Sequence, residues 1–270
     1  ISPFLKWAGG KRQLIPEIYP RIPNIEGRYI EPFMGAAAVF FRISPHKGWL
    51  NDINEELVNC FCIVRDEVDQ LIKILSSYRY EREFYYQIRG LDRQEGGLYK
   101  LDTIERAARF IFLNRTGFNG LYRVNSKGQF NVPFGRYKNP DIVIKEKLLA
   151  CHRLMQHTKI TQTHFREVLS KVKQGDFVYL DPPYLPLSKS SSFTSYDKSG
   201  FGDDDQSELA EFLHYFNRNN ISFLASNADH QNIHNLYEGL QITKVYAKRS
   251  INSNPTRRTQ IGELLISNSH

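Results

Sequence analysis

Short apolar segments alternate with helix-like segments along much of the chain. The apolar runs fall at residues 29–30, 49–50, 177–180, 222–225 and 242–246, and several of them precede a helix-like stretch. Short apolar runs of this kind are typical of strands buried in a parallel sheet. The pattern therefore predicts an α/β fold built on a mainly parallel sheet.

The clearest single helix is predicted over residues 203–217. Three consecutive aspartates occupy its start and are expected to cap it, because the positive end of a helix dipole favours acidic side chains. The apolar residues of this segment recur on one face, which we expect to be buried: Leu209, Phe212, Leu213 and Phe216.

The alternation lapses between about residues 55 and 145, where the sequence is helical and rich in charge. This indicates an insertion within a domain made of 1–54 and 146–270. The insertion closes with 119–136, which is dense in Gly, Asn and Arg and predicts a hairpin or an extended loop. A second loop, 188–202, holds six serines and two glycines and is interpreted as a mobile lid or a simple linker.

The composition adds an anionic partner to this picture. Hydrophobic residues make up 41% of the 270 and charged residues 24%, while 36 Lys and Arg outnumber 29 Asp and Glu to give a formal charge of +7. A basic excess favours nucleic acid as the partner. With three cysteines and no run of about 18 apolar residues, we expect a cytoplasmic protein without a membrane segment. The opening Ile1-Ser2-Pro3 carries no signal pattern and suggests a start part-way into a longer sequence.

The strongest chemical signal is Asp181-Pro182-Pro183-Tyr184, directly after the predicted strand 177–180. Ligands of open α/β sheets lie at the carboxyl ends of strands. An exocyclic amine of an aromatic base is a poor nucleophile because its lone pair is delocalised into the ring. The Asp181 carboxylate and the Pro182 carbonyl can each accept one N–H and concentrate the lone pair on nitrogen. Tyr184 offers a flat face on which an extruded base can stack. A Pro-Pro turn that merely ends a strand is the alternative.

A second signal combines a predicted strand at 29–30, a turn at Gly35 and a helix through 39–41, which together form a cradle of the nucleotide-binding kind. Asp52 follows the next predicted strand, where an acidic side chain can bind ribose hydroxyls. Alternatively, Asp52 is the N-cap of a helix from Asn54 onward, and both roles are compatible.

A third signal is the segment 6–11, Lys-Trp-Ala-Gly-Gly-Lys. Its glycines allow a ligand to approach the backbone, and its lysines suit a carboxylate or phosphate. The spacing is not that of a Walker A loop. No metal site is predicted, because His230 and His234 lack the intervening glutamate of a zinc motif, and a surface helix is the better interpretation.

Six blocks of the chain carry a resemblance to a known family. They are Phe4-Leu5-Lys6-Trp7-Ala8-Gly9-Gly10-Lys11, Glu31-Pro32-Phe33-x-Gly35, Asn51-Asp52-Ile53-Asn54, Asn114-Arg115-x-Gly117-x-Asn119-Gly120-Leu121-x-Arg123, Phe130-Asn131-Val132-Pro133-Phe134-Gly135-Arg136-Tyr137 and Asp181-Pro182-Pro183-Tyr184. Together and in this order they resemble the Dam-type DNA adenine N6-methyltransferases, of the alpha class, that act on GATC. One departure is Ala37, where the family usually has a second glycine. A Cβ there restricts positive φ, and we expect tolerance with weaker donor binding.

The resemblance implies a Rossmann-like S-adenosylmethionine-dependent sheet with an inserted, mainly helical DNA-recognition domain. Residues 1–54 and 146–270 then form the catalytic domain and 55–145 the target-recognition domain. The implied reaction is methyl transfer from S-adenosylmethionine to the flipped adenine of GATC in double-stranded DNA, with no metal and no obligate protein partner. Asp181, Pro182 and Tyr184 are the implied catalytic residues. The implied donor site holds Trp7, Lys11, Phe33, Gly35, Asp52, Ile53, Phe165 and Asp181.

The resemblance also implies a set of DNA contacts. The side chains placed against DNA are Lys6, Phe118, Asn119, Leu121, Arg123, Pro133 and Arg136. Arg123 can pair with guanine O6 and N7, Leu121 and Pro133 can touch a thymine methyl, and Phe118 can wedge into the gap left by the adenine. Phosphate neutralisers are Arg115, Arg136, Lys138, Arg249, Arg257 and Arg258.

Three other functions remain open at this point. A methyltransferase acting on an RNA base or a glutamine amide poses the same lone-pair problem, although those relatives more often carry Asn before Pro-Pro-Tyr. A DNA-binding repressor with a dead donor pocket is supported only by Ala37. A nicotinamide-dependent oxidoreductase explains Gly35 and Asp52 but leaves the tetrapeptide at 181–184 without a role.

Overall fold

The computed structural model describes residues 1–184, 201–247 and 261–269. Within them, the strands are β1 (Tyr29–Glu31), β2 (Gly48–Asn51), β3 (Thr158–Thr161), β4 (Phe177–Leu180), β5 (Ser222–Ala228), β6 (Gln241–Ala247) and β7 (Ile261–Ser267). The helices are α1 (Ile15–Ile18), α2 (Ala38–Ile43), α3 (Glu55–Asp66), α4 (Val68–Ser77), α5 (Arg82–Gly90), α6 (Thr103–Thr116), α7 (Lys145–Met155), α8 (Phe165–Leu169), α9 (Asp203–Arg218) and α10 (Gln231–Leu236). None of these helices in the described ranges is long and apolar enough to cross a bilayer.

The chain forms two compact units that do not follow the sequence continuously. The first unit consists of Ile1–Gly10, Gly35–Ser44 and Asp52–Gln162, and the second of Lys11–Met34, Pro45–Asn51 and Thr163–His270. The functional division into a catalytic domain and a target-recognition domain stays a prediction.

The second unit is built on strands in the order β2-β1-β4-β5-β7-β6. The pairs β1–β2, β1–β4 and β4–β5 are parallel, whereas β7 runs antiparallel to both β5 and β6. All five apolar runs of the sequence lie within strands. The predicted α/β fold with a mainly parallel sheet is therefore confirmed.

Helix α9 shows how the sequence pattern produces the core of this unit. Leu209, Leu213 and Phe216 pack into the cluster that also contains Val178 and Leu180 of β4, and Phe212 is partly buried against it. The predicted helix is confirmed. All three aspartates lie in the first turn, with Gly202 as the N-cap residue before them. The Asp205 carboxylate accepts from the Gly202 N–H at 3.1 Å, so one of the three aspartates caps the helix start directly.

Two strands were not predicted from the sequence. β3 reads Thr-Lys-Ile-Thr and is only partly buried, so it lacks the apolar run that marks the central strands. β7 has a short apolar stretch, Leu264 to Ile266, whose strand character depends on insertion between β5 and β6. Such pairing is not visible in local sequence.

The first unit is mainly helical around α6. Helix α6 begins with a capping box, in which the Asp102 carboxylate accepts from the Glu105 N–H at 2.8 Å and the Glu105 carboxylate accepts from the Asp102 N–H at 3.2 Å. Neighbouring helices α3, α4 and α5 cover it. Its buried Arg106 pairs with Glu55 and Glu56, so this charge is neutralised inside the unit.

The predicted hairpin after α6 is confirmed. Antiparallel bridges join Gly117 to Phe134 and Val124 to Phe130, and a short 3-10 turn spans Phe118–Gly120. The predicted loop 188–202 lies outside the described residues apart from its last two positions. Helix α10 carries His234, while His230 precedes the helix as its N-cap.

Candidate active site

The tetrapeptide at 181–184 leaves the sheet at its topological switch point. The chain passes from β1 to β2 on one side and from β4 to β5 on the other, so a crevice is expected at the carboxyl ends of β1 and β4. All four residues of β4 are buried, and Asp181 is the first residue beyond them. The fold thus positions the Asp181 carboxylate where ligands of such sheets bind.

Two donors orient the Asp181 carboxylate. Lys11 Nζ lies 3.1 Å from Asp181 Oδ1, and the Ser226 hydroxyl donates to the same oxygen at 3.0 Å. Asp181 Oδ2 makes no hydrogen bond or ion pair with any of the described residues. Burial raises the pKa of Asp181, while Lys11 and Ser226 counteract the rise. A carboxylate held by one oxygen in this way presents the other as an acceptor.

Lys11 and Tyr184 lie next to each other beside the Asp181 carboxylate. The Lys11 ammonium is buried, donates to the Tyr184 hydroxyl at 2.6 Å and lies 4.6 Å from the centre of the Tyr184 ring. It also lies 3.2 Å from Glu263 Oε2. One cation thus faces two carboxylates, which leaves the cluster of Lys11, Asp181 and Glu263 with a net negative charge when both acids are ionised.

An aromatic group in the same unit joins two of the predicted donor-site residues. The rings of Phe33 and Phe165 lie 5.3 Å apart, and Phe201 contacts both at 5.7 and 5.8 Å. Phe201 was not predicted. His164 precedes helix α8 as its N-cap and packs on Phe165. The group supplies flat apolar surfaces of the kind that stack on a purine.

The remaining predicted donor residues lie in the first unit. Asp52 Oδ2 accepts from the Gly35 N–H at 3.1 Å, and Oδ1 accepts from the Asn54 N–H at 3.0 Å. The alternative of Asp52 as helix N-cap is wrong, because the Asn54 side chain caps α3 through the Leu57 N–H. Ile53 is exposed. The Asp52 carboxylate is therefore held in a fixed orientation beside the glycine turn.

The glycine turn itself has no room for a side chain. Gly35 has φ +46°, and a Cβ there would lie 2.9 Å from the Trp7 indole. Trp7 in turn stacks on Tyr122 with ring centres 5.6 Å apart. Ala37 adopts φ 53° and ψ 42°, the left-handed conformation, immediately before α2. The alanine that departs from the family pattern thus takes the backbone conformation that a glycine would take.

Asn114 of α6 ties together the predicted DNA-contacting segments. Its side chain accepts from the Lys6 N–H at 2.9 Å and donates to the carbonyls of Lys6 at 2.7 Å and Gly120 at 3.0 Å. Lys6 Nζ lies over the Tyr137 ring at 4.4 Å. The lysine and the hairpin turn are therefore fixed to the same helix.

The hairpin presents most of the predicted DNA contacts to solvent. Phe118 is 50% exposed, and its N–H donates to the Pro133 carbonyl at 2.9 Å. Arg123 is exposed and donates from Nε to the Asn131 side chain at 2.7 Å. Leu121 is half-buried, whereas three further residues are exposed: Asn119, Pro133 and Arg136. Of the predicted phosphate neutralisers, Arg249, Arg257 and Arg258 lie outside the described residues.

Several contacts in the site were not predicted from the sequence. Ser226 lies one residue beyond Ala225, the partner of Leu180 in the parallel β4–β5 pair, so its place at the sheet edge was available to the strand-end argument. Glu263 has no such signal, because it follows no motif and lies on an antiparallel strand. Only the folded chain brings it to Lys11.

The comparisons with known proteins identify the family of this chain. The family described as D12 class N6 adenine-specific DNA methyltransferase matches residues 7–251, and the chain belongs to this family. The predicted Dam-type resemblance is confirmed, and the protein is an adenine-specific DNA methyltransferase. This assignment decides against the oxidoreductase and against the RNA or glutamine methyltransferase.

The relatives share nearly the whole chain. It is 40% identical over 272 residues to the type II methyltransferase M1.LlaDCHI of Lactococcus lactis subsp. cremoris, covering 99% of this chain and 95% of that protein. It is 44% identical over 289 residues to the type II methyltransferase M.MjaIII of Methanocaldococcus jannaschii, covering 99% of each. A DNA adenine methylase of Haemophilus influenzae is 37% identical over 269 residues, covering 97% of this chain and 92% of that protein.

Proposed function

We propose that the protein methylates adenine N6 within GATC in double-stranded DNA, using S-adenosylmethionine and an adenine swung out of the helix. The observation that carries the proposal is the Asp181 carboxylate, held by Lys11 and Ser226 at the carboxyl end of β4 and followed by Pro182 and Tyr184. A DNA substrate is in keeping with the predicted cytoplasmic location.

The chain's own residues activate the amine. Asp181 accepts one N6–H and the Pro182 carbonyl accepts the other, which concentrates the lone pair on nitrogen and directs it. S-adenosylmethionine, when bound, supplies an electrophilic methyl group on a positively charged sulfur. The nitrogen would bond to that carbon as the carbon–sulfur bond breaks, with the electron pair of the broken bond retained by the departing S-adenosylhomocysteine. The nitrogen then releases one proton, for which Asp181 is an adjoining base. Orientation provides much of the rate, since no covalent enzyme intermediate is required.

Four features support the donor assignment. The excess negative charge of Asp181 and Glu263 over Lys11 suits a sulfonium cation. The glycine turn at Gly35 permits the close backbone approach that a bound nucleoside needs. The Asp52 carboxylate provides an acceptor for ribose hydroxyls, and the group of Phe33, Phe165 and Phe201 provides a stacking surface for an adenine.

The exposed hairpin supports the target assignment. Arg123 is exposed, and its Nε and Nη2 donate to the side chain and the carbonyl of Asn131, which hold the guanidinium at the surface of the hairpin. Its other N–H groups are the ones that can pair with guanine. Phe118 is half exposed beside the same hairpin, as a wedge for the vacated stack requires. Tyr184 is 37% exposed, which leaves part of its ring available to an extruded base.

The test uses plasmid DNA and tritiated S-adenosylmethionine, followed by digestion with endonucleases that distinguish methylated from unmethylated GATC. We expect tritium in adenine N6 and a digestion pattern that marks every GATC as methylated. Incorporation without a change at GATC would contradict the sequence specificity but retain the chemistry. Absence of incorporation, with DNA binding intact, would favour the DNA-binding repressor instead.

A further inference from the structure

Glu263 connects the C-terminal part of the sheet to the tetrapeptide at 181–184. It lies on β7 opposite Ala228 of β5 and Val245 of β6. Its side chain is 14% exposed, and its Oε2 accepts from the Tyr184 hydroxyl at 2.8 Å and lies 3.2 Å from Lys11 Nζ. A buried carboxylate with two specific partners in the site is more than a surface charge.

The three N–H groups of Lys11 match three acceptors. They face Asp181 Oδ1 at 3.1 Å, Glu263 Oε2 at 3.2 Å and the Tyr184 hydroxyl at 2.6 Å. An ammonium has three donors and no acceptor, so this set saturates it. Among the described residues, removal of the Glu263 charge would leave Asp181 as the sole carboxylate on Lys11.

The Tyr184 hydroxyl is held from both sides. It accepts from Lys11 and donates its one proton to Glu263. Burial, together with the nearby charges of Asp181 and Glu263, raises the pKa of Tyr184, so the hydroxyl stays protonated and remains a donor. These two bonds fix the direction of the ring, which is the surface proposed to receive the base.

We propose that Glu263 is a positioning residue for methyl transfer, which acts by sharing the Lys11 ammonium with Asp181 and by holding the Tyr184 hydroxyl. The inference rests on the proposed roles of Asp181 and Tyr184. It adds a residue from the far end of the chain that no sequence motif contains.

The shared ammonium keeps Asp181 effective as an acceptor. A carboxylate that pairs alone with a lysine is a weaker acceptor for the adenine amine, because the ammonium neutralises much of the negative charge on the carboxylate oxygens. Glu263 draws part of that interaction away, and its negative charge raises the pKa of Asp181. Loss of this charge should therefore lower the pKa of Asp181 and weaken its hold on the amine.

The discriminating variant is Glu263→Gln, which removes the charge but retains an oxygen that can accept from Tyr184. The matched control is Glu238→Gln, an exposed glutamate of the same unit. Single-turnover rates of tritiated methyl transfer to a GATC duplex are measured from acidic to neutral pH with saturating donor. We expect Glu263→Gln to lower the plateau of the pH–rate profile about tenfold, as for a displaced acceptor. We also expect the acidic limb of this profile, where the rate falls with falling pH, to move to lower pH. Glu238→Gln should match the wild-type protein.

Other titratable groups face the same region and are unchanged in both variants. They are Lys11, Asp181 and Tyr184 themselves, Tyr179 of β4, whose pKa is raised chiefly by burial and further by nearby carboxylates, and the Asp229 carboxylate with Lys244 and His234 just beyond the end of β5. A limb that moves in Glu263→Gln but not in Glu238→Gln therefore reports the Glu263 charge.

The outcomes separate this inference from the function on which it rests. If the wild-type protein transfers the methyl group and Asp181→Ala does not, the proposed function is supported. If Glu263→Gln then shows the wild-type rate and the wild-type acidic limb of the pH–rate profile, only the role of Glu263 is overturned. A lower rate with an unmoved limb would also overturn it, because a purely structural defect has that signature. Should Glu263→Gln fail to fold, Glu263→Asp is tested. Its shorter side chain withdraws the carboxylate from Lys11 and Tyr184, so we expect a reduced rate together with an acidic limb that moves to lower pH; an unreduced rate or an unmoved limb counts against the inference.

Discussion

At the scale of single residues, the site depends on how a few polar groups are held. Asp181 is oriented through one oxygen by Lys11 and Ser226, and Asp52 by two backbone N–H groups. Preorganised acceptors need no rearrangement at the moment of reaction, which is the main way a protein accelerates a transfer of this kind. The expected effects of substitution follow from these contacts.

Asp181→Ala should reduce methyl transfer by at least about 10³-fold, because the amine loses its charged acceptor. DNA binding should persist, since the carboxylate contributes nothing to phosphate contacts. Tritium transfer and gel-shift titration measure the two quantities separately. Near-normal turnover in this variant would contradict the mechanism.

The pH dependence of the wild-type rate should reflect ionisation of the Asp181 carboxyl group. The ionised carboxylate is a stronger acceptor for the N6–H than the protonated carboxyl, so the rate falls as the pH falls through the pKa of Asp181. Burial raises that pKa, which places the fall at higher pH than for an ordinary aspartate. Single-turnover rates against pH test this, and a rate that stays constant down to the ordinary aspartate range would refute it.

Ala37 is the residue where backbone strain and packing oppose each other. Relief of the left-handed conformation favours Ala37→Gly by about 1–2 kcal/mol, while chain entropy costs about 0.5–1 kcal/mol and the lost buried methyl about 0.8 kcal/mol. We expect stability within about 1 kcal/mol of wild type and donor binding that is no weaker. The bulkier side chain of Ala37→Val should lower both the stability and the affinity for the donor. Urea unfolding and calorimetry with the donor provide the measurements.

At the scale of elements, the position of the hairpin 117–134 depends on helix α6, which anchors it. Asn114 is buried and bridges the Lys6 backbone and the Gly120 carbonyl. A hairpin of this length is marginally stable by itself. In the proposed function, specific recognition would therefore depend on a side chain that we do not expect to touch DNA.

Asn114→Ala should lower the free energy of unfolding by about 2–4 kcal/mol, because three backbone groups lose their partner in a buried place. It should also weaken the preference for GATC over unrelated DNA, since the hairpin is no longer fixed. Urea unfolding and competition binding measure these effects. The control is Asn139→Ala at an exposed position, which should change neither.

At the scale of the whole molecule, we expect the +7 charge and the residues proposed to read the groove to contribute differently to DNA binding. Phosphate contacts provide affinity that falls steeply with salt, whereas base contacts provide selectivity that salt changes little. The two contributions can be separated by one pair of substitutions on the exposed hairpin region.

Arg136→Ala should weaken binding to all duplexes alike and reduce the slope of log affinity against log salt by about one. Arg123→Ala should instead lower discrimination at one guanine by about 1–3 kcal/mol. Fluorescence titrations at several salt concentrations, with GATC and single-substituted duplexes, distinguish the two. Unchanged selectivity in Arg123→Ala would remove this residue from base recognition.

Local pattern was sufficient for the central strands, helix α9, the hairpin and the tetrapeptide, since each depends on the hydrophobic period or on residues adjacent in the chain. It failed for β3, which is too polar to resemble a core strand, and for β7, whose pairing partners come from elsewhere. The predicted Asp52 cap was wrong for a local reason, because the Asn54 side chain accepts from the Leu57 N–H while the Asp52 carboxylate accepts from the N–H groups of Gly35 and Asn54.

The chain alone thus determined the class of chemistry, because a strand followed by an acid and two prolines specifies where one carboxylate and one carbonyl stand. Tertiary structure decided what surrounds them. Glu263 lies 79 residues from Tyr184 and Asn114 lies 108 from Lys6, yet each pair is joined by a hydrogen bond. Contacts at such separations are set by strand pairing and helix packing, to which every part of the sequence contributes, and so no local motif records them.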